Sequence, residues 1–467
     1  MKIEQIYTGC LAQGTYYIES NGEVAIIDPL REVQPYIELA GKNDSRIKYI
    51  FETHFHADFV SGHVTLSQKT GAKIIYGPNA ETKFDAEIAK DEQEYMLGDV
   101  VIKVLHTPGH TMESSTFLLI DENGKEHAIF TGDTLFLGDV GRPDLAQNTA
   151  GLTKEVLAEK LFDSLRNKIM PLPNNLILYP GHGAGSACGK NMSKETKGVL
   201  GEQKENNYAL RADMTKEEFV KEVTDGLLPP PVYFPLNVKM NREGYSDISE
   251  IIKAGSHALS PNKFEKLANA TDTLILDVRT QDEFAKAHIP NSIFIGLNGR
   301  FAPWVGTLIG DINQAILLVT PEGKEEEAIT RLSRVGFDNT LGILSGGIES
   351  WKHKGKEIDS VISITAEDFS KKLSKATFFD VRKESEYVSE RIDSAINSPL
   401  DKLNDYLDAF PEKETFYIHC EGGYRSMIAA GILKSRGIHN FIDIAGGLVA
   451  IKEAGIKTTD FVCPTTF

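Results

Sequence analysis

A chain of 467 residues is long enough for about three domains of ~150 residues each, and 41% apolar with 25% charged residues is ordinary globular composition. Fifty basic residues against 67 acidic ones leave a formal charge of −17 with no basic run, which argues against a nucleic-acid partner. No apolar stretch approaches the ~20 residues that span a bilayer and residues 1–6 lack a signal-peptide core, so the expectation is a cytoplasmic protein without a membrane partner.

In chain order, residues 7–28 alternate apolar and polar around Asn21-Gly22 and predict two antiparallel strands. Residues 33–40 predict a short helix, and Ile47-Lys48-Tyr49-Ile50-Phe51 a buried strand. That strand runs into Thr53-His54-Phe55-His56-Ala57-Asp58-Phe59. Two histidines one residue apart, just past a strand end, point into the cleft where such sheets bind ligands, and Asp58 adds a hard oxygen. After Ser61-Gly62 a helix to Lys69 and a strand over 73–76 follow. Residues 100–105 lead into Thr107-Pro108-Gly109-His110-Thr111. A hairpin of 116–120 and 127–130 across Glu122-Asn123-Gly124 delivers Asp133 in Thr131-Gly132-Asp133-Thr134. Residues 154–169 have helical periodicity, and the strand 176–179 precedes His182 in Pro180-Gly181-His182-Gly183. A lone histidine after a strand is usually structural. Ligand-type residues recurring in this one setting predict a metal site, on two sheets faced by helices.

Residues 189–245 become helical and charged, broken at Leu228-Pro229-Pro230-Pro231, and predict a helical tail before a domain border near 245. The remainder repeats itself. Leu274-Ile275-Leu276-Asp277-Val278-Arg279 matches Phe378-Phe379-Asp380-Val381-Arg382, Glu283 matches Glu386, and Gly346-Gly347 matches Gly446-Gly447. Two α/β modules with mainly parallel sheets follow, giving expected domains 1–245, 246–360 and 361–467. Only the second copy has a cysteine after its central strand, in His419-Cys420-Glu421-Gly422-Gly423-Tyr424-Arg425-Ser426. The first reads Val319-Thr320-Pro321-Glu322-Gly323-Lys324 and is expected to be catalytically silent, a spacer or docking surface.

The four cysteines, Cys10, Cys188, Cys420 and Cys463, are too few and too scattered for a disulfide framework, and each starts as a small buried hydrophobe. Cys420 departs from that reading. Gly422 and Gly423 let backbone N–H groups face inward and a helix opens at Arg425-Ser426, a cradle that stabilises a thiolate and then a persulfide. The loop resembles the active rhodanese loop, with Cys420 and Arg425 as the catalytic pair. A cysteine phosphatase competes, but it places five residues between Cys and Arg where this chain has four, 421–424.

The first part resembles the metallo-β-lactamase superfamily, whose H-x-H-x-D-H signature stands here as His54, His56 and Asp58 with Phe59 in the last place. That last histidine holds a second metal in dinuclear members such as glyoxalase II-type thioester hydrolases, and an aromatic ring cannot ligate. Together with Gly141-Arg142-Pro143-Asp144 and the two trailing modules, the whole chain is similar to persulfide dioxygenase–rhodanese fusion proteins. The resemblance implies a metallo-β-lactamase-type αββα sandwich followed by two rhodanese-like α/β/α domains with mainly parallel sheets. It implies one Fe(II) per chain on His54, His110 and Asp133, the two-histidine, one-carboxylate set of non-haem oxygenases. His56, Asp58 and His182 then orient the ligands or shuttle protons, although spacing alone would offer His56 as a ligand. Arg142 could clamp a carboxylate of the thiol carrier or form a salt bridge with Asp139 or Asp144, and Cys188 could approach the metal or simply fill the core. The implied partners are a small-thiol persulfide, O2, sulfite and thiosulfate. A glyoxalase II-type thioester hydrolase is the alternative, and a homo-oligomer is left open.

Overall fold

Alternation with apolar residues on both sides of each strand shapes the first domain. The computed structural model describes residues 1–145, 151–190, 192–227, 229–270 and 272–462, so Leu228 and Cys463 lie outside the described residues. Strands β1 (Lys2–Thr8), β2 (Gln13–Ser20), β3 (Glu23–Ile27), β4 (Arg46–Glu52), β5 (Lys73–Tyr76) and β6 (Glu87–Ile88) form one sheet in that order. Strands β7 (Glu94–Leu97), β8 (Val100–His106), β9 (Ser115–Ile120), β10 (Glu126–Gly132), β11 (Ile177–Pro180) and β12 (Gly198–Val199) form a second, also in chain order. The run β3 to β6 pairs in parallel, as do β10 and β11. The other neighbours are antiparallel.

On β2, Tyr16 and Ile18 point into the core between the sheets with Ile27, Phe51, Ile75, Ile102, Phe117, Leu119 and Phe130. Tyr17 points the other way with Val24, Ile26, Ile50 and Ile74, onto the helices Gln34–Lys42 and His63–Thr70 through Tyr36, Ala40 and Leu66. In the second sheet Leu118, Ile129 and Leu178 face outward onto the helices Lys154–Ser164 and Lys216–Thr224 through Ala158, Leu161, Phe219 and Val223. Each fully buried side chain of this size contributes roughly 1.5–3 kcal/mol. Helices therefore cover both outer faces, and the αββα sandwich expected from the sequence is the fold observed.

Two local features differ from the sequence reading. The expected antiparallel pair joined at Asn21-Gly22 is present as β2 and β3, and a further strand not expected from the sequence, β1, pairs with β2 over its whole length. Its half-exposed, polar edge gave no apolar signal. The helix expected over 154–169 widens into a π-helical turn at Leu165–Ile169.

The repeat continues as two five-stranded sheets. One contains β13 (Ala258–Leu259), β14 (Thr273–Asp277), β15 (Ile293–Phe294), β16 (Ala315–Val319) and β17 (Thr340–Leu344), in the order β13-β17-β16-β14-β15. The other contains β18 (Ser363–Ile364), β19 (Thr377–Asp380), β20 (Ile396–Asn397), β21 (Phe416–His419) and β22 (Phe441–Ile444), in the order β18-β22-β21-β19-β20. All pairings are parallel. The sequence repeat is thus a repeat of topology. Its Asp-Val-Arg motif is structural, since Arg279 forks onto Asp277 and Arg382 onto Asp380, all four buried.

The chain divides into two compact units, Met1–Ile248 with Leu332–Gly336, and Ser249–Arg331 with Phe337–Phe467. Among the described residues, no helix is long and apolar enough to cross a membrane.

Candidate metal centre and sulfur site

Four strands of the first domain end next to a ligand-type residue: β4 before His54, β8 before His110, β10 at Asp133 and β11 before His182. The β10 ladder shifts register between Phe130 and Gly132, and Gly132 turns the chain with φ +49°. A Cβ at Gly132 would stand 2.5 Å from Thr53 Oγ1, so glycine is what lets the ends of β10 and β4 meet.

The structure brings His54, His110 and Asp133 together, all buried. His54 Nε2 lies 3.9 Å and His110 Nε2 3.5 Å from Asp133 Oδ2. The two imidazoles stand edge-on, with centroids 4.9 Å apart. Their proton positions follow from the neighbours. Asp28 accepts both the backbone N–H and the hydroxyl of Thr53, at 2.8 Å each. With its only proton committed, the Thr53 oxygen 3.0 Å from His54 Nδ1 can only accept. Nδ1 therefore carries the His54 proton, and Nε2 keeps its lone pair. His110 reaches the same state because its Nδ1 donates to the Arg142 carbonyl at 2.9 Å. Burial disfavours the imidazolium form and lowers the pKa of both rings.

Burial alone would raise the pKa of Asp133, but His182 first, then His54 and His110, hold the carboxyl far below the usual carboxylate range. Its Oδ1 accepts from His182 Nδ1 at 2.8 Å, while Oδ2 is buried and makes no hydrogen bond. Two imidazole lone pairs and an orphaned carboxylate oxygen thus converge with no proton between them. An ionised oxygen left so is costly, and these residues fit a divalent metal ion.

His182 sits between two carboxylates, with Nε2 2.8 Å from Asp58 Oδ2. Burial opposes its charge, yet Asp133 and Asp58 overcome that and lift its pKa well above the ordinary value. Cys188 joins Asp58 and His182, their ligand-type atoms all within 4.8 Å of one another. Burial, with the charges of Asp58 and Asp133, pushes the Cys188 thiol well up and keeps it protonated.

His56 turns away from this centre. Its Nε2 lies 3.2 Å from Asp28 Oδ1 and 3.3 Å from Glu52 Oε2. Burial opposes its charge, but the two carboxylates raise its pKa to about 10. Asp28 and Glu52 were not singled out in the sequence, and both are fully buried behind the histidine loop. Phe59 is also fully buried, its ring 4.3 Å from that of His56.

The loop is pinned from behind by Asn241, on the helix Phe234–Glu243. Its amide donates to the carbonyls of His56 and Phe59 at 2.8 Å each and accepts from Ser61 N at 2.8 Å. The guanidinium of Arg142, offered by the sequence to a substrate carboxylate, is engaged by Asp144 at 2.6 and 2.8 Å.

Replacing Thr53 by alanine removes the acceptor that fixes the His54 tautomer. Metal affinity is expected to fall about 10–100-fold, with Thr53→Ser near native. Titration of the loaded protein with a chelator measures it, and unchanged retention in Thr53→Ala would refute the tautomer argument.

In the C-terminal module Cys420 follows the end of β21 and is 1% exposed. The N–H of Gly423 donates to Sγ at 3.2 Å, and the helix Tyr424–Ser435 begins at the next residue. Arg425 makes a bidentate pair with Glu386 at 2.5 and 2.8 Å, which braces the loop. In the middle module the chain passes from β16 into Thr320, as read from the sequence.

These features define a metal-binding sandwich joined to a tandem of α/β modules, one of which cradles a cysteine. The family profile described as Metallo-beta-lactamase superfamily matches residues 8–182, and that of the Rhodanese-like domain matches 260–354 and 365–454. The chain belongs to the metallo-beta-lactamase superfamily and carries two rhodanese-like domains behind that fold. It is 34% identical to a probable hydroxyacylglutathione hydrolase of Schizosaccharomyces pombe, over 35% of this chain but only 60% of that relative's length. It is 30% identical to hydroxyacylglutathione hydrolase GloC of Haemophilus influenzae, over 41% of this chain and 94% of the relative. Mitochondrial persulfide dioxygenase ETHE1 of Bos taurus is 29% identical over 47% of this chain and 78% of its own. A crystal structure titled metallo-beta-lactamase, from Staphylococcus aureus, superposes with a TM-score of 0.64 at 29% identity, covering 74% of this chain and 98% of that one.

Proposed function

We propose that the first domain uses one Fe(II), held by His54, His110 and Asp133, to oxidise the persulfide of a low-molecular-weight thiol with O2 to sulfite. Cys420 carries sulfane sulfur as a covalent persulfide and so makes or consumes thiosulfate. The observation that supports this best is a conjunction in one chain: a two-histidine, one-aspartate centre and a cysteine cradled for sulfur in a rhodanese-like domain. Iron in that ligand set supplies open coordination positions and a redox centre for sulfur and O2. One O2 and one water per persulfide give thiol, sulfite and two protons.

The chain's own residues set the conditions. Thr53 and the Arg142 carbonyl hold His54 and His110 with Nε2 free of protons. His182 keeps a proton between Asp133 and Asp58, and so tethers the carboxylate that completes the set. Phe59 fills the place of a further ligand with an apolar ring, which limits the centre to one tight metal.

A thioester hydrolase is the second reading, favoured by the relatives that bear the name hydroxyacylglutathione hydrolase. One experiment separates the two. Protein purified without oxygen is expected to hold one iron per chain by elemental analysis and to consume O2 when glutathione persulfide or coenzyme A persulfide is added. Two metals per chain lost together on chelation, or thioester hydrolysis without O2 uptake, would favour the hydrolase instead.

A further inference from the structure

We propose that the cysteine-free middle module is a positioning element for sulfur transfer at Cys420, acting through Tyr424. This rests on the reading of Cys420 as a sulfur carrier. The helix Tyr424–Ser435 lies against the middle module near both its ends. At its first residue, the Tyr424 hydroxyl donates to the Gly296 carbonyl at 2.7 Å, and its ring meets Phe294 edge-on at 5.6 Å. That ring also covers Gly299 so closely that a Cβ there would stand 2.2 Å from it. Further along, Gly431 lets the helix approach β15, for a Cβ at Gly431 would be 3.1 Å from Phe294 N. Near the end, Lys434 pairs at 2.9 Å with Asp359, whose backbone bridges His288 of the middle module.

Tyr424 directly follows Gly423, whose N–H holds the Cys420 sulfur. The loop therefore runs from the rigid end of β21 through two glycines to an anchor on the other module. Glycine gives such a loop many conformations, and an anchor at Tyr424 removes most of them. The Gln281 amide, also from the middle module, lies 3.4 Å from where a Cβ on Gly423 would be. The silent module has thus lost a nucleophile at Thr320 and kept the surface that seats its neighbour's helix. In this proposal the module expected to be a spacer or docking surface serves as a template for the neighbouring loop.

Tyr424 also lines a cavity of about 160 Å³ with Gln281, Phe294 and Asn298. A substrate-contact role there would move KM, whereas a positioning role moves kcat. The test uses the full iron-loaded chain with thiosulfate as donor and cyanide as acceptor. Gly299→Ala, a change in the silent module, is expected to lower kcat about tenfold to a hundredfold at unchanged KM for thiosulfate, the scale of an ångström misplacement. Tyr424→Phe loses only the hydroxyl bond and should lose less. The double variant should be no worse than Gly299→Ala, because a displaced ring no longer reaches Gly296. Persulfide-dependent O2 uptake should stay at the native level in all three. Native kcat in both single variants, effects that multiply in the double, or a raised KM at native kcat would each overturn the proposal. Transfer that is absent from the native chain, or retained in Cys420→Ser, would instead overturn the carrier reading on which it rests.

Discussion

Asp133→Ala is expected to abolish persulfide-dependent O2 uptake and to strip the metal from the first domain. Asp133 contributes the single carboxylate of the proposed set, and its Oδ2 is the atom left buried without a hydrogen bond. Replacing a partner beyond the ligands costs about 10–100-fold in metal affinity, and loss of a direct ligand should exceed that. Alanine also removes one of the two carboxylates flanking the charged His182, so the fold itself is strained. Asp133→Asn is the cleaner companion, since it keeps the size and an acceptor for His182 Nδ1 while removing the charge. Metal content and oxygen-electrode traces decide the matter, with the thermal unfolding of each variant, followed by circular dichroism, as evidence that the first domain is folded. O2 uptake surviving in both variants would remove Asp133 from the centre.

Cys420→Ser should do the opposite, abolishing sulfur transfer while leaving O2 consumption largely intact. A serine hydroxyl is a far weaker nucleophile than a thiolate at neutral pH and forms no persulfide. Gly423 N–H would still find an acceptor at that position, so the loop should keep its shape and the loss should be chemical. Sulfite is then expected to accumulate where the native protein yields some thiosulfate. His110→Ala should show the mirror image, no O2 uptake with transfer from thiosulfate retained. The two constellations belong to different compact units, Met1–Ile248 and the unit containing Phe337–Phe467. Loss of both activities in either variant would mean one shared site.

The strands that carry the site were legible because their two-sided burial writes apolar runs into the sequence, and Gly-rich turns mark where those runs end. The repeat was legible because each module keeps its Asp-Val-Arg fork, a buried pair that tolerates little change. The carboxylates behind the histidine loop were not. Asp28 and Glu52 lie at or just past strand ends, and nothing in their local pattern shows that they meet His56 across the sheet. Cys188 was visible only as a cysteine in a glycine-rich loop, and its approach to Asp58 and His182 is purely tertiary. The partner of Arg142 was among the alternatives read from the sequence, because Asp144 is two residues away. Tyr424 carried no signal at all, since its partners Gly296 and Gly299 lie in the other repeat.

Asn241 has a consequence for how such a chain could be divided or joined to other proteins. The prolines Pro229-Pro230-Pro231 invite the cut, since everything proposed to hold the metal lies before them. A polypeptide severed there would keep every ligand and lose the clasp that closes the histidine loop from behind. Fission of the gene at that point would therefore yield an N-terminal half with the right letters and a slack centre, dependent on its severed partner for shape. A seam opened beyond Asn241 keeps that clasp in one piece with the ligands, whereas Leu332–Gly336, which the first unit also includes, stays with the other piece.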